Sequence, residues 1–425
     1  MVAAMSFDQA PPISVPLRFF LTAPLFGCAA GLLVALLGGD LLASRWSGPA
    51  LAATHLLTLG FMLQAMVGAT LQVLPVAIGA NVWRPRATAT ITHVGLTAGT
   101  LLLVGGFLFE LPLLFRIAAP LLVAALTVFI LAVGRGLFGG PARGNTVTAL
   151  RAAVPALAIT GTIGAALAVA FGWGNGWPLM LLTDLHAAWG LIGWGLLLLA
   201  GVSFLVVPMF QLTPPYRDWI GRRLPLGLAA LLLAWSLAAA AGEPAAALRD
   251  ALSVLLGFAA IVFAAETLRL QRLRRRKHVD ATFLFWRTAM LALIAAVGLA
   301  LVLVLAGEVP NRGLVEIAVG LAMLAGFYVS VITGMCYKIV PFVTWLHLQQ
   351  RMARPPNMNQ IVTEASVIRQ LRVHWAALAA LAAGLLFPPS LMLGGLLFAV
   401  SCAWLELNLA GAARLYGRLS RAAAA

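Results

Sequence analysis

The chain is a succession of apolar runs, separated by short stretches that hold most of the charge. A helix crossing a bilayer needs about 20 consecutive apolar residues. By that measure the runs predict twelve spans, at 18–42, 51–78, 91–109, 112–134, 150–171, 179–211, 224–241, 246–268, 284–306, 314–346, 374–388 and 391–413. The strands of a transmembrane barrel alternate apolar and polar residues in short segments. These runs are long and unbroken, so the expected fold is an all-α polytopic membrane protein, a single transmembrane domain over residues 1–425.

A repeat is embedded in the spans. The second contains Gly60-Phe61, Gly68 and Pro75. The sixth contains Gly193-Trp194, Gly201 and Pro208, and the tenth Gly326-Phe327, Gly334 and Pro341. Each copy reads G-[FW]-x6-G-x6-P, and successive copies are offset by 133 residues. An apolar pair precedes each proline: Val73-Leu74, Val206-Val207 and Ile339-Val340. Fixed-period self-similarity marks repeated structural units. The expected units are three sets of four spans, about 17–149, 150–283 and 284–425. Gly60 and Gly68 are eight residues apart and share one helix face. That face suits close helix packing or a flat ligand.

Composition sharpens the class. Of the residues, 62% are apolar and 10% charged, and the mean hydropathy is +1.00. Soluble domains are about half apolar and about a quarter charged, so a soluble enzyme and a nucleic-acid binder are both excluded. The net charge of +15 then has a topological meaning, because cytoplasmic loops are enriched in Lys and Arg. One side collects Arg84, Arg86, Arg143, Arg217, Arg222, Arg223, the run from Arg269 to Lys277, and Arg351, Arg414 and Arg418. The other has Arg45, Arg116, Arg249 and Arg312 beside Asp40, Glu110, Asp184, Glu243 and Glu308. This asymmetry predicts an inner-membrane protein with both termini cytoplasmic. Met1–Pro16 has no basic region ahead of an apolar stretch, so no cleaved signal peptide is expected. Pro355-Pro356 breaks the longest loop, His347–Arg372, and Asn359–Leu371 has the pattern of a short surface helix.

Candidate chemistry is sparse. Cys28, Cys336 and Cys402 fall in separate apolar runs without CxxC spacing, which disfavours a disulfide framework or a thiolate metal site. His93, His278, His347 and His374 fall at cytoplasmic span ends or in loops and read as interfacial residues. His55 and His186 differ. They lie 20 and 22 residues before the motif prolines Pro75 and Pro208, which places both in the outer half of the bilayer. Intramembrane ionisable residues are functional candidates, and neutral imidazole is a common ligand of haem iron and copper. Thr54 and Asp184 are the nearby partners expected to orient the rings. Glu316 reads equally as a proton or cation site and as an interfacial acid, and Lys338 as a residue reaching for the cytoplasmic interface. Met62, Met66, Met209 and Met335 read first as packing.

The run Thr54-His55 through Gly60-Phe61 and Gly68 to Leu74-Pro75 resembles the second helix of the haem–copper oxidase catalytic subunit. It is closest to the nitric-oxide reductase branch and to the NnrS family. His186-Ala-Ala-Trp189-Gly190 through Gly201 to Val207-Pro208 is similar to the sixth helix of the same families. Twelve helices in three units of four is also their architecture. The resemblance implies that His55 is an axial haem ligand and that His186 ligates haem or copper. It implies haem b as cofactor, with copper possible, and a redox partner or respiratory complex in addition to the lipid bilayer. The pattern departs from the family's at spans seven and ten, which lack the histidines of a binuclear centre. The expectation is therefore a reduced, haem-binding relative acting in respiratory or nitric-oxide metabolism rather than a complete terminal oxidase. A cofactor-free transporter and an oxidase assembly factor are the alternatives.

Overall fold

The structure is a computed structural model, which describes residues 7–275 and 278–423. Arg276 and Lys277, in the basic run, and Met1–Ser6, in the N-terminal segment, lie outside the described residues. The described residues form helices and connecting turns, with no strand among them. Twelve helices are long: α1 (Ser14–Ala43), α2 (Gly48–Ile78), α3 (Pro85–Phe109), α4 (Pro112–Gly139), α5 (Asn145–Trp173), α6 (Leu179–Gln211), α7 (Asp218–Ala241), α8 (Glu243–Arg272), α9 (Ala281–Leu305), α10 (Arg312–Gln349), α11 (Glu364–Gly384) and α12 (Ser390–Ala422). Eleven of them, all but α11, are long and apolar enough to cross a membrane. The protein is thus a polytopic helical membrane protein.

Local chemistry sets the helix ends. Ser47 caps α2 by accepting from Ala50 N at 3.3 Å, with Pro49 in the first turn. Gly79, at φ +70°, stops α2 in a left-handed conformation that costs a glycine nothing. Asp280 caps α9 through Phe283 N at 2.9 Å. After Pro355-Pro356, Asn357 and Gln360 form a reciprocal capping box on the short helix Met358–Ile361.

The expected boundaries shift in two places. The loop predicted at His347–Arg372 is shorter, because α10 continues to Gln349 and α11 begins at Glu364. The predicted surface helix divides between Met358–Ile361 and the first turns of α11. Those turns contain Glu364, Arg369 and Arg372, which hydropathy excludes from a span but helical hydrogen bonding tolerates. Pro341 does not end α10 either. The chain continues through it for two further turns.

The motif helices α2, α6 and α10 are the most buried of the spanning helices. Each contains an eight-residue π-helical segment, at Leu56–Leu63, Trp189–Leu196 and Ala322–Val329. The segments start 133 residues apart, four residues before the first motif glycine. The glycines pack alike. A Cβ on Gly68, Gly201 or Gly334 would sit 2.9, 2.5 or 2.9 Å from the Cβ of Phe19, Ala149 or Phe285, on α1, α5 and α9 respectively. Gly60, Gly193 and Gly326 meet Phe26, Ala156 and Ala292 on the same three helices, seven residues further along. These glycines therefore admit a neighbouring helix. The room for a flat ligand that the sequence also suggested is filled by α1, α5 and α9.

At the centre, Met62, Gly195 and Tyr328 occupy the same position of the three motif copies, and they touch. A Cβ on Gly195 would lie 2.6 Å from Met62 Cε and 2.8 Å from Tyr328 Cζ. The fully buried Tyr328 hydroxyl donates to the Leu191 carbonyl, tying α10 to α6.

Candidate functional site

His55 is the last residue before the π-helical segment of α2, and His186 lies three residues before that of α6. π-turns widen a helix and rotate the following residues, and they recur at functional sites. The two rings, 131 residues apart in the chain, face each other. Their centres are 6.4 Å apart and their planes 24° from parallel. The two imidazoles thus meet between α2 and α6.

Each ring is held by one nitrogen. His55 Nδ1 bonds the Leu51 carbonyl one turn back, at 2.7 Å. His186 Nδ1 bonds the Thr160 carbonyl of α5, at 3.0 Å. A carbonyl only accepts, so Nδ1 carries the proton in both neutral rings and Nε2 keeps its lone pair. Among the described residues neither Nε2 has a hydrogen-bond partner. The second support is steric. The His186 ring lies against Gly164 of α5, where a Cβ would come within 2.7 Å of Cε1. Phe107 of α3 stacks on His55 with centres 5.2 Å apart and planes 22° from parallel.

The orienting partners differ from those expected. Asp184 turns away from His186 and pairs with Arg45 at 3.3 Å. Thr54 offers His55 nothing, and its carbonyl accepts from Thr58 instead. Arg45 also contacts Glu316 at 3.1 Å, and Arg312 contacts Glu316 at 3.3 Å. A single charge network thus joins the N-terminal ends of α6 and α10 to the α1–α2 turn. Glu316 is a member of this network rather than an isolated acid.

His374 departs furthest from its expected interfacial place. It is fully buried in α11, with Nε2 2.8 Å from Ser330 Oγ and Nδ1 3.4 Å from Ser401 Oγ. Both its nitrogens are engaged, so it is a structural hydrogen-bonding residue of the core. His93 bonds Thr22 Oγ1 at 2.8 Å, and His347 bonds the Pro11 carbonyl at 3.1 Å. Lys338 pairs with Asp280 at 3.0 Å. Across α2 from His55 lies an apolar cavity of about 170 Å³. It is lined by Gly31, Thr54, Leu57, Gly320 and Phe398, with Arg45 and Glu316 at one end.

No known protein family's sequence profile matches the chain, and no curated protein is detectably similar to it.

Proposed function

We propose that the protein is a haem-binding electron-transfer protein of the bacterial inner membrane, with His55 and His186 as axial ligands of one b-type haem. The observation that carries this reading is the 6.4 Å spacing of two near-parallel rings. A first-row metal ion binds imidazole nitrogen at about 2 Å, and that nitrogen is about 1 Å from the ring centre, so one shared ion holds two ring centres about 6 Å apart. In both rings Nδ1 makes the bond to a carbonyl that ligating histidines normally make, which leaves Nε2 as the donor to a metal. The ring spacing and the two unpartnered Nε2 atoms are what support the reading. When bound, a haem with two imidazole ligands supplies a one-electron iron couple with no open position. The chain's own part is to fix both tautomers and to stack Phe107 against one ring.

The architecture that goes with this reading is twelve spans in three units of four. Both the equivalent glycine contacts and the meeting of Met62, Gly195 and Tyr328 support it. α11 is then the missing crossing. It packs along α12 over 21 residues, joined by a short uncharged turn at which Leu386 and Phe387 are exposed. With both termini cytoplasmic, the histidine pair lies in the outer half of the bilayer. The resemblance to the nitric-oxide reductase branch and to NnrS supports a role in respiratory or nitric-oxide metabolism.

A purified protein with a low-spin bis-imidazole spectrum supports the reading. His55→Ala and His186→Ala should each lose haem or become high-spin while still inserting. Wild-type protein that folds and contains copper but no haem assigns the pair to copper. Haem content and spectrum unchanged in both variants overturn the assignment. The transporter alternative has one observation in its favour, the cavity between α1, α2, α10 and α12 with an ion pair at its end. A folded wild-type protein without haem or metal selects it.

A further inference from the structure

The helices fix the direction and depth of the cavity between α1, α2, α10 and α12. Added Cβ atoms on Gly38 and Gly31 of α1 would meet Leu391 and Ala399 of α12, so the start of α12 lies level with the end of α1. At the same level the α1–α2 turn carries Arg45, which contacts Glu316 near the start of α10. The lining runs inward from there, to Ala325 on α10 and Phe398 on α12. Both of these are buried, thirteen and eight residues from the starts of their helices. At 1.5 Å per residue the depths are about 20 and 12 Å. Half of a bilayer's hydrocarbon core is about 15 Å. The cavity thus starts at charged helix ends and reaches the depth of one lipid leaflet.

Its chemistry is divided in the same direction. Thr54 apart, the polar side chains that line it are Arg45 and Glu316, both at the mouth, and the rest of the wall is apolar. The cavity is partly open to the surroundings and holds about 170 Å³. A small volume drawn out over this depth suits a hydrocarbon chain better than a ring. An apolar cavity stays dry, and an unfilled one forfeits the dispersion contacts of its wall. In a bilayer the apolar group at hand is an acyl chain.

The mouth selects the head that such a chain carries. Arg45 and Arg312 face Asp184 and Glu316, two charges of each sign. A fatty acid or an anionic phospholipid would add an unbalanced negative charge to this network, whereas a zwitterionic head adds none. Arg45 Nε is buried and makes no hydrogen bond, although Glu316 Oε2 stands 3.1 Å away. A buried donor without an acceptor is costly, and phosphate oxygen is an acceptor that guanidinium binds well.

We infer that the cavity binds one zwitterionic aminophospholipid, with an acyl chain inside, its phosphate on Arg45 and its ammonium beside Glu316. The site lies across α2 from His55 and stands whether or not haem binds. Gly320 is on its wall, and a Cβ added there meets no atom within 4 Å. A larger side chain at Gly320 would therefore enter the space of the acyl chain.

The test uses full-length protein, purified in mild detergent, stripped of lipid and weighed by native mass spectrometry with added phosphatidylethanolamine, phosphatidylglycerol or palmitate. One phosphatidylethanolamine per chain should stay bound, at several-fold higher occupancy than either other lipid. Gly320→Leu should lower that occupancy several-fold while still melting cooperatively. Arg45→Gln should abolish the preference among the three lipids. In vesicles, phosphatidylethanolamine with a diazirine in the middle of one chain should crosslink wild-type protein at Leu57, Leu324 or Phe398. Crosslinks confined to the exposed Leu393 and Leu396 of α12 overturn the inference, and this readout needs no variant to fold. Equal retention of the three lipids, or of none, also overturns it, as does unchanged occupancy in folded Gly320→Leu.

Discussion

One added methyl group at Gly164 tests the site without touching a candidate ligand. The Cβ of Gly164→Ala would sit 2.7 Å from His186 Cε1 and 3.2 Å from Nδ1, so the ring must leave its seat and stretch its bond to Thr160. Overpacking of this kind costs about 1–3 kcal/mol. The expected outcome is a lower melting temperature together with loss of the low-spin signature. Gly320→Ala is the control, because no atom lies within 4 Å of its added Cβ. Relieved of a helix-interior glycine, it should be stabilised by up to about 1 kcal/mol, as read from the same melting curves. An equal loss in both variants would show that the Gly164 contact does not matter. His55 and His186 were legible in the sequence because a polar residue at a fixed depth in an apolar run stands out. Gly164, Thr160 and Phe107 were not, because helix rotation decides which side chains meet, and an apolar run of nearly uniform hydropathy does not encode it. The same lack of a rotational signal hid the burial of His374.

Among the elements, the start of α9 carries a pH dependence of its own. Burial of Asp280 is the largest single influence and opposes its ionisation, but the Lys338 ammonium and the hydrogen bonds from Phe283 N, Thr282 Oγ1 and Lys338 Nζ together outweigh it. The carboxyl is thus held below its ordinary range. A carboxyl lowered on folding stabilises the native state above its unfolded pKa of about 4, and that contribution is lost as pH falls through the folded value. Wild-type protein in detergent should therefore melt progressively earlier on acidification below about pH 4. Asp280→Asn keeps a side chain that caps as well as aspartate but loses the charge opposite Lys338, so it should be less stable at neutral pH and show a shallower acid decline. An acid decline of the same slope in both proteins would remove Asp280 from the account. At this scale hydropathy placed nearly every helix but misjudged α11, whose charged first turns are amphipathic. The Pro355-Pro356 break and the Asn357–Gln360 capping box mark where the chain turns back into helix.

For the whole molecule, the decisive question is whether the chain crosses the membrane an even number of times. Eleven helices meet the length and hydropathy needed, and an odd count would put the termini on opposite sides. α11 breaks the tie. It covers α12 along its length, burying Val367, Leu371, His374, Ala377 and Leu381. A 21-residue helix spans about 31 Å at 1.5 Å per residue, which matches the hydrocarbon core. The turn joining it to α12 exposes Leu386 and Phe387 and carries no charge, whereas the loop before α11 carries Arg351 and Arg354 and the last turns of α12 carry Arg414, Arg418 and Arg421. Positive residues stay cytoplasmic, so both ends of this helix pair should be inside and its tip outside. Reporter fusions at the two termini should both read as cytoplasmic. A cysteine placed at Phe387, in a variant whose three native cysteines are replaced by serine, should react with an impermeant maleimide from the outer face. Termini on opposite sides, or a Phe387 position that labels only from the cytoplasm, would remove α11 as a crossing. The reading of three four-helix units around Met62, Gly195 and Tyr328 would fall with it, because the third unit would lack a span.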